Sequence, residues 1–311
     1  MRAVVMQEFG PPEVLEPAEV AEPEASPGEV IIEAEFANVT FVETQIRAGR
    51  APHPSMLPAL PVILGNGTGG TVAGRPVVAS LNGTGGYAER VAVDARRLIV
   101  VPDQVPLRDA VALLADGRTA LSLTGRAGLQ AGETVLVEAA AGGVGTLLVQ
   151  LARRAGARVV ALAGRADKLA LARDLGADLT VDYRRDDWPD EVRSAVGQVD
   201  LVFDGVGGEV GRAAFGLLGQ GGRFYPFGMA SGSFAPVTPE LAQDHGVTVL
   251  RGGPADTEES VALSRAALAE AAAGHLRPVI GQEFGLASAA AAHTAIEARA
   301  TTGKTLLTVP R

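Results

Sequence analysis

The 311-residue sequence predicts an α/β fold in two parts: a small, mostly β domain to which the chain returns at its end, and a central doubly wound parallel sheet. Three observations carry this. Residues 1–103 read as short β-like runs broken by turn residues. Residues 119–249 alternate strand and helix, which calls for parallel strands joined by crossover helices. Within them residues 133–156, ETVLVEAAAGGVGTLLVQLARRAG, pass from a β-branched stretch through small residues straight into a helix. Its apolar positions Leu147, Leu148, Leu151 and Ala152 recur at helical spacing.

In chain order, the first region offers strands at 2–6, 29–36, 61–64, 75–80, 87–93 and 97–101. The glycine-rich stretches 65–70 and 82–86 read either as ligand cradles or as hairpin and corner turns. A helix follows, with Leu107, Ala110, Val111 and Leu114 on one face and a break expected at Gly117. The central region offers strands at 134–138, 158–162, 179–182, 201–204, 222–226 and 248–250, with helices such as 166–175 and 210–218 between them. Beyond Asp256 an alanine-rich helix reaches Ala273, another spans 288–299, and a last strand covers 304–309. That closing strand implies a return to the first domain. The expected division is residues 1–117 with 266–311, and residues 118–265.

Ala140, Gly142 and Gly145 occupy the three positions of a G-x-G-x-x-G fingerprint, with alanine in the first. Glycine in the second place lets a pyrophosphate approach the backbone, and in the third it lets helix and strand pack closely. The first-turn N–H groups of the helix then face phosphate. About 20 residues on, an acid would hold a ribose 2′-hydroxyl. Gly164 and Arg165 stand there instead, with Lys168 just beyond. Nothing repels a 2′-phosphate and two cations can pair with it, so NADPH is favoured over NADH. The plainer reading of Arg165 and Lys168 is a solvated helix start, although cations at a helix N-terminus oppose the macrodipole. Asp167 fits a first-turn acid better than a ribose ligand.

Composition narrows the function classes. A net charge of -9 argues against a nucleic-acid surface. The N-terminal MRAVVMQEFG meets acidic and proline-rich sequence before any long apolar stretch, supporting neither a signal peptide nor a membrane span. The expected location is the cytoplasm. With no cysteine, disulfides and thiolate zinc sites cannot form. Only two lysines occur, Lys168 and Lys304.

The chain resembles the zinc-independent quinone oxidoreductase branch of the medium-chain dehydrogenase/reductase superfamily. The resemblance runs nearly end to end, through Ala139-Ala140-Ala141-Gly142-Gly143-Val144-Gly145, Lys168 and Leu175-Gly176-Ala177-Asp178, Val181-Asp182-Tyr183, Val202-Phe203-Asp204-Gly205-Val206-Gly207-Gly208, and residues 299–307. It implies a GroES-like catalytic domain built from both chain ends, a central Rossmann domain, and NADPH in the cleft between them. Carried over by position, it places Gly142, Gly143 and Val144 on the pyrophosphate and Thr119 near the phosphates. Gly164, Lys168 and Tyr183 would surround the 2′-phosphate and adenosine ribose, with Tyr183 alternatively a strand-end aromatic packed on the sheet. Val206, Phe227 and Gly228 would line the nicotinamide side, and Arg299 would reach the cofactor from the catalytic domain. Lys304 belongs to the family's closing G-K pattern or is a surface strand residue. The family also implies a homodimer joined at the edge of the Rossmann sheet near residues 247–250.

Zinc-using relatives need a cysteine or similar ligand, a Gly-His-Glu motif and a further cysteine. This chain offers Thr40, Gly65-Asn66-Gly67 and Ala115 at the matching places. His53, His245, His275 and His293 lack metal-ligand spacing, so no catalytic metal is expected. The implied chemistry is hydride transfer from NADPH to a quinone, an enone or an enoyl thioester. Thr40 and Gln45 stand where the family commonly has asparagine and tyrosine, and could donate to a substrate carbonyl or the nicotinamide amide; turn or core roles are the alternative. Residues 71–86 are shorter than the family's usual segment. An NADPH-binding sensor or structural protein with little turnover is the competing function.

Overall fold

The computed structural model describes residues 1–253 and 256–310 and divides into two compact units, Met1–Arg118 with Ala255–Arg311, and Thr119–Pro254. The chain opens with β1 (Arg2–Met6), β2 (Leu15–Glu19) and β3 (Glu29–Val39), then α1 (Phe41–Arg47). It continues through β4 (Val62–Ile63), β5 (Gly67–Val72), β6 (Arg75–Ser80), β7 (Arg90–Asp94), β8 (Ile99–Val100) and α2 (Leu107–Ala127), within which the unit boundary falls. The second unit holds β9 (Thr134–Val137), α3 (Gly143–Arg154), β10 (Arg158–Ala163), α4 (Ala166–Asp174), β11 (Leu179–Asp182), α5 (Trp188–Val196), β12 (Val199–Asp204), α6 (Gly208–Phe215), β13 (Leu218–Pro226), α7 (Pro239–Asp244) and β14 (Thr248–Val249). The chain re-enters the first unit as α8 (Thr257–Ala272), β15 (Ile280–Gly285), α9 (Ala289–Glu297) and β16 (Lys304–Thr308).

The first unit is mainly antiparallel. Its larger sheet runs β15-β16-β3-β5-β6-β8 with β7 also on β3, and a smaller one runs β2-β1-β4. The closing strand comes home antiparallel to β3, Thr305 opposite Val39. Residues 65–70, expected as turns or a cradle, largely form β5, and their glycines serve packing. A Cβ on Gly67 would lie 2.6 Å from Leu114 Cδ2, and one on Gly69 2.3 Å from Val111 Cγ2, so the strand is thinned to admit α2. Gly117 likewise does not break α2; a Cβ there would meet the Ala267 Cβ of α8 at 2.8 Å. That close packing, with Ser264 Oγ donating to the Leu114 carbonyl, places α8 in the first unit. The boundary expected at residue 265 therefore moves upstream of the helix. The shortened 71–86 segment is mostly the β5–β6 hairpin, turned by Ala73 and Gly74, both at positive φ as a two-residue loop requires.

In the second unit six parallel strands run β11-β10-β9-β12-β13-β14. Val135, Leu136, Val137, Val159, Val160, Leu162, Leu201, Val202 and Phe203 are fully buried, as strands covered on both faces must be. Each such side chain contributes about 1.5–3 kcal/mol. Strand order reverses between β9 and β12, which opens the crevice at their carboxyl ends where ligands bind in such sheets. No helix among the described residues is long and apolar enough to cross a membrane.

Candidate active site

The glycine turn leaves β9 through Glu138 and enters α3 at Gly142. Ala139 takes the left-handed conformation, φ 48°, and its carbonyl accepts the Gly142 N–H at 2.8 Å. A Cβ on Gly145 would lie 2.2 Å from that carbonyl oxygen, so only glycine lets α3 start this close to the strand. Gly142 caps α3 without a side chain. The first-turn N–H groups of Gly143, Val144 and Gly145 therefore have no intrahelical acceptor, at the positive end of the helix dipole. Gly142, Gly143 and Val144 are half-buried. This cradle fits a pyrophosphate.

The next two strand ends gather cations. Gly164 follows β10; a Cβ there would lie 3.3 Å from both Tyr183 Oη and Arg184 Cδ, so the ends of β10 and β11 meet at a glycine. Arg165 precedes α4, and Lys168 sits in its first turn, three residues on. Arg165 pairs with Asp167 at 2.6 Å and Arg184 with Asp182 at 2.7 Å. Pairing holds the Asp167 carboxyl down at about 2 through its hydrogen bond from Arg165, and Arg184 in turn opposes the charge on Arg165.

At the crevice proper, two carboxyl side chains are buried. Glu138 accepts the Val206 N–H at 3.0 Å, and Asp204 accepts the Gly207 N–H at 2.6 Å; both residues are fully buried. Burial, then the neighbouring Asp204, pushes Glu138 well above the ordinary carboxyl range, and burial raises Asp204 too. Val206 is 2% exposed, with its N–H on Glu138 and its carbonyl on the Ser231 N–H, so only van der Waals contact is left to it. Phe227 and Gly228 follow β13, half-buried, and both N–H groups donate to the Asp204 carbonyl. Thr119 is half-buried on α2.

In the first unit, Thr40 caps α1 and Glu43 closes the cap. The Glu43 carboxylate accepts the Thr40 N–H at 2.5 Å, the Thr40 hydroxyl at 2.7 Å and the Asn66 N–H at 2.8 Å. Glu43 is fully buried. Burial raises its pKa, and the bonds from Thr40, the charge of Lys304 and the Asn66 N–H pull it back. Tyr87 lies against Glu43 and within 3.0 Å of His293 Nε2. The Thr40 hydroxyl proton is thus spent on Glu43, and Gln45, 8% exposed, donates its amide to Thr44 Oγ1 at 3.0 Å. Thr40 is left as an acceptor toward a ligand, contrary to the donor role expected of it. Lys304 is no surface residue: it is 4% exposed and pairs with Asp116 at 3.0 Å. Arg299 is exposed just past α9, at φ 54°.

Comparison with known proteins places these features in a family. A family profile described as zinc-binding dehydrogenase matches residues 143–268. A quinone oxidoreductase from Pseudomonas aeruginosa is 31% identical over 318 residues, covering 96% of this chain and 97% of that protein. The chain belongs to the quinone oxidoreductase branch of the medium-chain dehydrogenase/reductase superfamily. The GroES-like and Rossmann architecture of that superfamily accounts for the two units. A 2-haloacrylate reductase from a Burkholderia species is 30% identical, covering 99% of this chain and 98% of that protein. The Thermus thermophilus quinone oxidoreductase, whose structures include a complex with NADPH, superposes with a TM-score of 0.83 at 36% identity, over 99% of this chain and 100% of that one.

Within the second unit, then, the structure sets Gly142, Gly143, Val144, Gly164, Arg165, Lys168, Tyr183, Val206, Phe227 and Gly228 at or just past the carboxyl ends of adjacent parallel strands. Arg184, beside Gly164 and directly after Tyr183, was not among the residues expected there; single-strand patterns do not show that the β11 end meets Gly164. Sequence reasoning also missed the Glu138–Asp204 pair, which only the strand register brings together.

Proposed function

We propose that this chain is an NADPH-dependent oxidoreductase that works without zinc and delivers hydride to a quinone or another activated C=C or C=O acceptor. The observation that carries it is the grouping of Arg165, Lys168 and Arg184 around Gly164, one strand over from an α3 N-terminus with no side-chain cap. Bound NADPH would supply the hydride. The chain's own residues would hold it: α3 N–H groups on the pyrophosphate, and the cations with Tyr183 on the 2′-phosphate and ribose. Phe227 and Gly228 would bound the nicotinamide face. The names of the relatives, quinone oxidoreductase and 2-haloacrylate reductase, support an electron-poor conjugated acceptor.

Zinc independence rests on donor chemistry. The sequence has no cysteine, His293 is buried against Tyr87, and no group of three or more His, Asp or Glu among the described residues could hold a metal. β14 forms the edge of its sheet, pairing only with β13 among the described strands, which supports a homodimer joined there.

Calorimetric titration tests the cofactor reading. Lys168→Ala and Arg184→Ala should each weaken NADPH about 10- to 100-fold, the worth of a charge-assisted hydrogen bond, while NADH changes little. Equal losses for both nucleotides would remove these side chains from the 2′-phosphate. Oxidation of NADPH against benzoquinone, naphthoquinone, an enone and an enoyl thioester, with and without a zinc chelator, then assigns the acceptor. Tight binding with no turnover on any of them would turn the reading to an NADPH-binding protein.

A further inference from the structure

The register of the parallel sheet aligns Val137 with Phe203, so the next residues, Glu138 and Asp204, stand side by side on one face, about 4.8 Å apart between strands. Both are fully buried, and one oxygen of each, Glu138 Oε1 and Asp204 Oδ2, has no hydrogen-bond partner. The other oxygens take the N–H groups of Val206 and Gly207. α6 seals the pair: a Cβ on Gly211 would lie 2.7 Å from Asp204 Oδ2. Two bare carboxylates on neighbouring strands at this burial repel each other, whereas one proton shared between the two unpartnered oxygens neutralises one carboxyl and satisfies both. The segment they hold carries the next layer. The Asp204 carbonyl accepts from Phe227 and Gly228, the Gly205 and Val206 carbonyls accept from Ala230 and Ser231, and Gly208 donates to the Ser233 carbonyl.

We propose that Glu138 and Asp204 share one proton and act together as positioning residues, clamping residues 205–208 and, through them, residues 227–233 at the crevice. This deepens the cofactor reading and rests on it where it concerns the nicotinamide end. The proton is the switchable part. Gly211 of α6 lies against Asp204 Oδ2, and Leu136 and Val202, two residues back on each strand, share the pair's face of the sheet. The charged residues of α6 are turned elsewhere, Glu209 to solvent and Arg212 over the Phe215 ring, against which His245 of the α7 end also packs. Raising the pH removes the shared proton, and the clamp opens.

Hydrogen exchange of the Val206 and Gly207 amides, corrected for intrinsic rates and followed from neutral to alkaline pH in the full chain without nucleotide, tests this. Wild type should lose protection as pH rises. Glu138→Gln places an amide N–H where the shared proton stood and should keep protection at alkaline pH, whereas Glu138→Ala should speed exchange at least tenfold throughout. NADPH affinity should follow the same order, with the alkaline loss in wild type absent from Glu138→Gln. If wild type and Glu138→Gln show the same pH profile of exchange, the shared proton is wrong. Should Glu138→Ala fail to fold, that wild-type against Gln comparison still decides. An exchange pattern as described, with no protection added by NADPH, would support the clamp and overturn the cofactor reading instead.

Discussion

Each unit buries acidic side chains beside a candidate site, and the two solve the problem differently. Glu43 is surrounded by donors: two from Thr40, one from Asn66, a neighbouring Tyr87, and the Lys304 charge nearby. Glu138 and Asp204 have two backbone N–H groups and otherwise only each other. Burial raises both carboxyls; the Thr40 and Asn66 donors and the Lys304 charge pull Glu43 back, whereas the neighbouring Asp204 pushes Glu138 further up. The first arrangement fixes a helix start through donors. The second holds a strand-end loop through a proton that solvent can remove.

The strongest way to break the contrast is to remove a charge from the anion-rich side. Lys304→Met takes from the buried Asp116 its ion-pair partner, and should cost about 3–5 kcal/mol in urea unfolding. Lys304→Met with Asp116→Leu should recover most of that loss, because a matched apolar pair needs no partner. If the single variant costs nothing, the Lys304–Asp116 pair adds no stability to the first unit, and the contrast with the second loses its ground.

A sharper comparison makes one substitution in both places. Glu43→Gln turns an amide N–H toward donors that need an acceptor, and should cost about 1–3 kcal/mol. Glu138→Gln supplies the donor its partner lacks, and should cost well under about 1 kcal/mol. The sign of its pH dependence follows from linkage. Glu138 is raised on folding, so the native state holds a proton that the unfolded chain releases above the ordinary Glu pKa. Wild-type stability should therefore decline as pH rises from there toward the raised value, and Glu138→Gln should flatten the decline. Equal costs at the two positions would mean that both carboxyls are held in the same charge state.

The sequence was more eloquent about strands than about these clusters. The alternation of β9 through β13 with helices, and the fingerprint at Ala140, Gly142 and Gly145, are local patterns, so periodicity and spacing reveal them. β5 was hidden because its glycines carry no β propensity; they are required by Leu114 and Val111 on a helix some forty residues on. Gly117 misled for the same reason, since its small size answers to Ala267 on α8. Among candidate site residues, those directly after predicted strands were legible. Lys304 with Asp116, and Glu138 with Asp204, depend on register and chain return, which single-strand patterns do not encode.

The smallest effect concerns the far end of the Glu43 cluster. His293 is fully buried beside Tyr87, and burial, with Arg47 adding to it, lowers its pKa from 6.5 to about 3. The unfolded chain therefore binds a proton below the ordinary value that the native state refuses. Stability should fall as pH drops from 6.5 toward about 3, by a slope of at most one proton, and be indifferent to His293 ionisation above that window. Unfolding of wild type and His293→Gln across that range isolates it, since the other carboxyls titrate alike in both. The difference between the two proteins should shift in the variant's favour as the pH falls. If it stays constant, His293 charges freely in the folded protein, and the Tyr87 contact must then open to water in acid while the Glu43 cap holds.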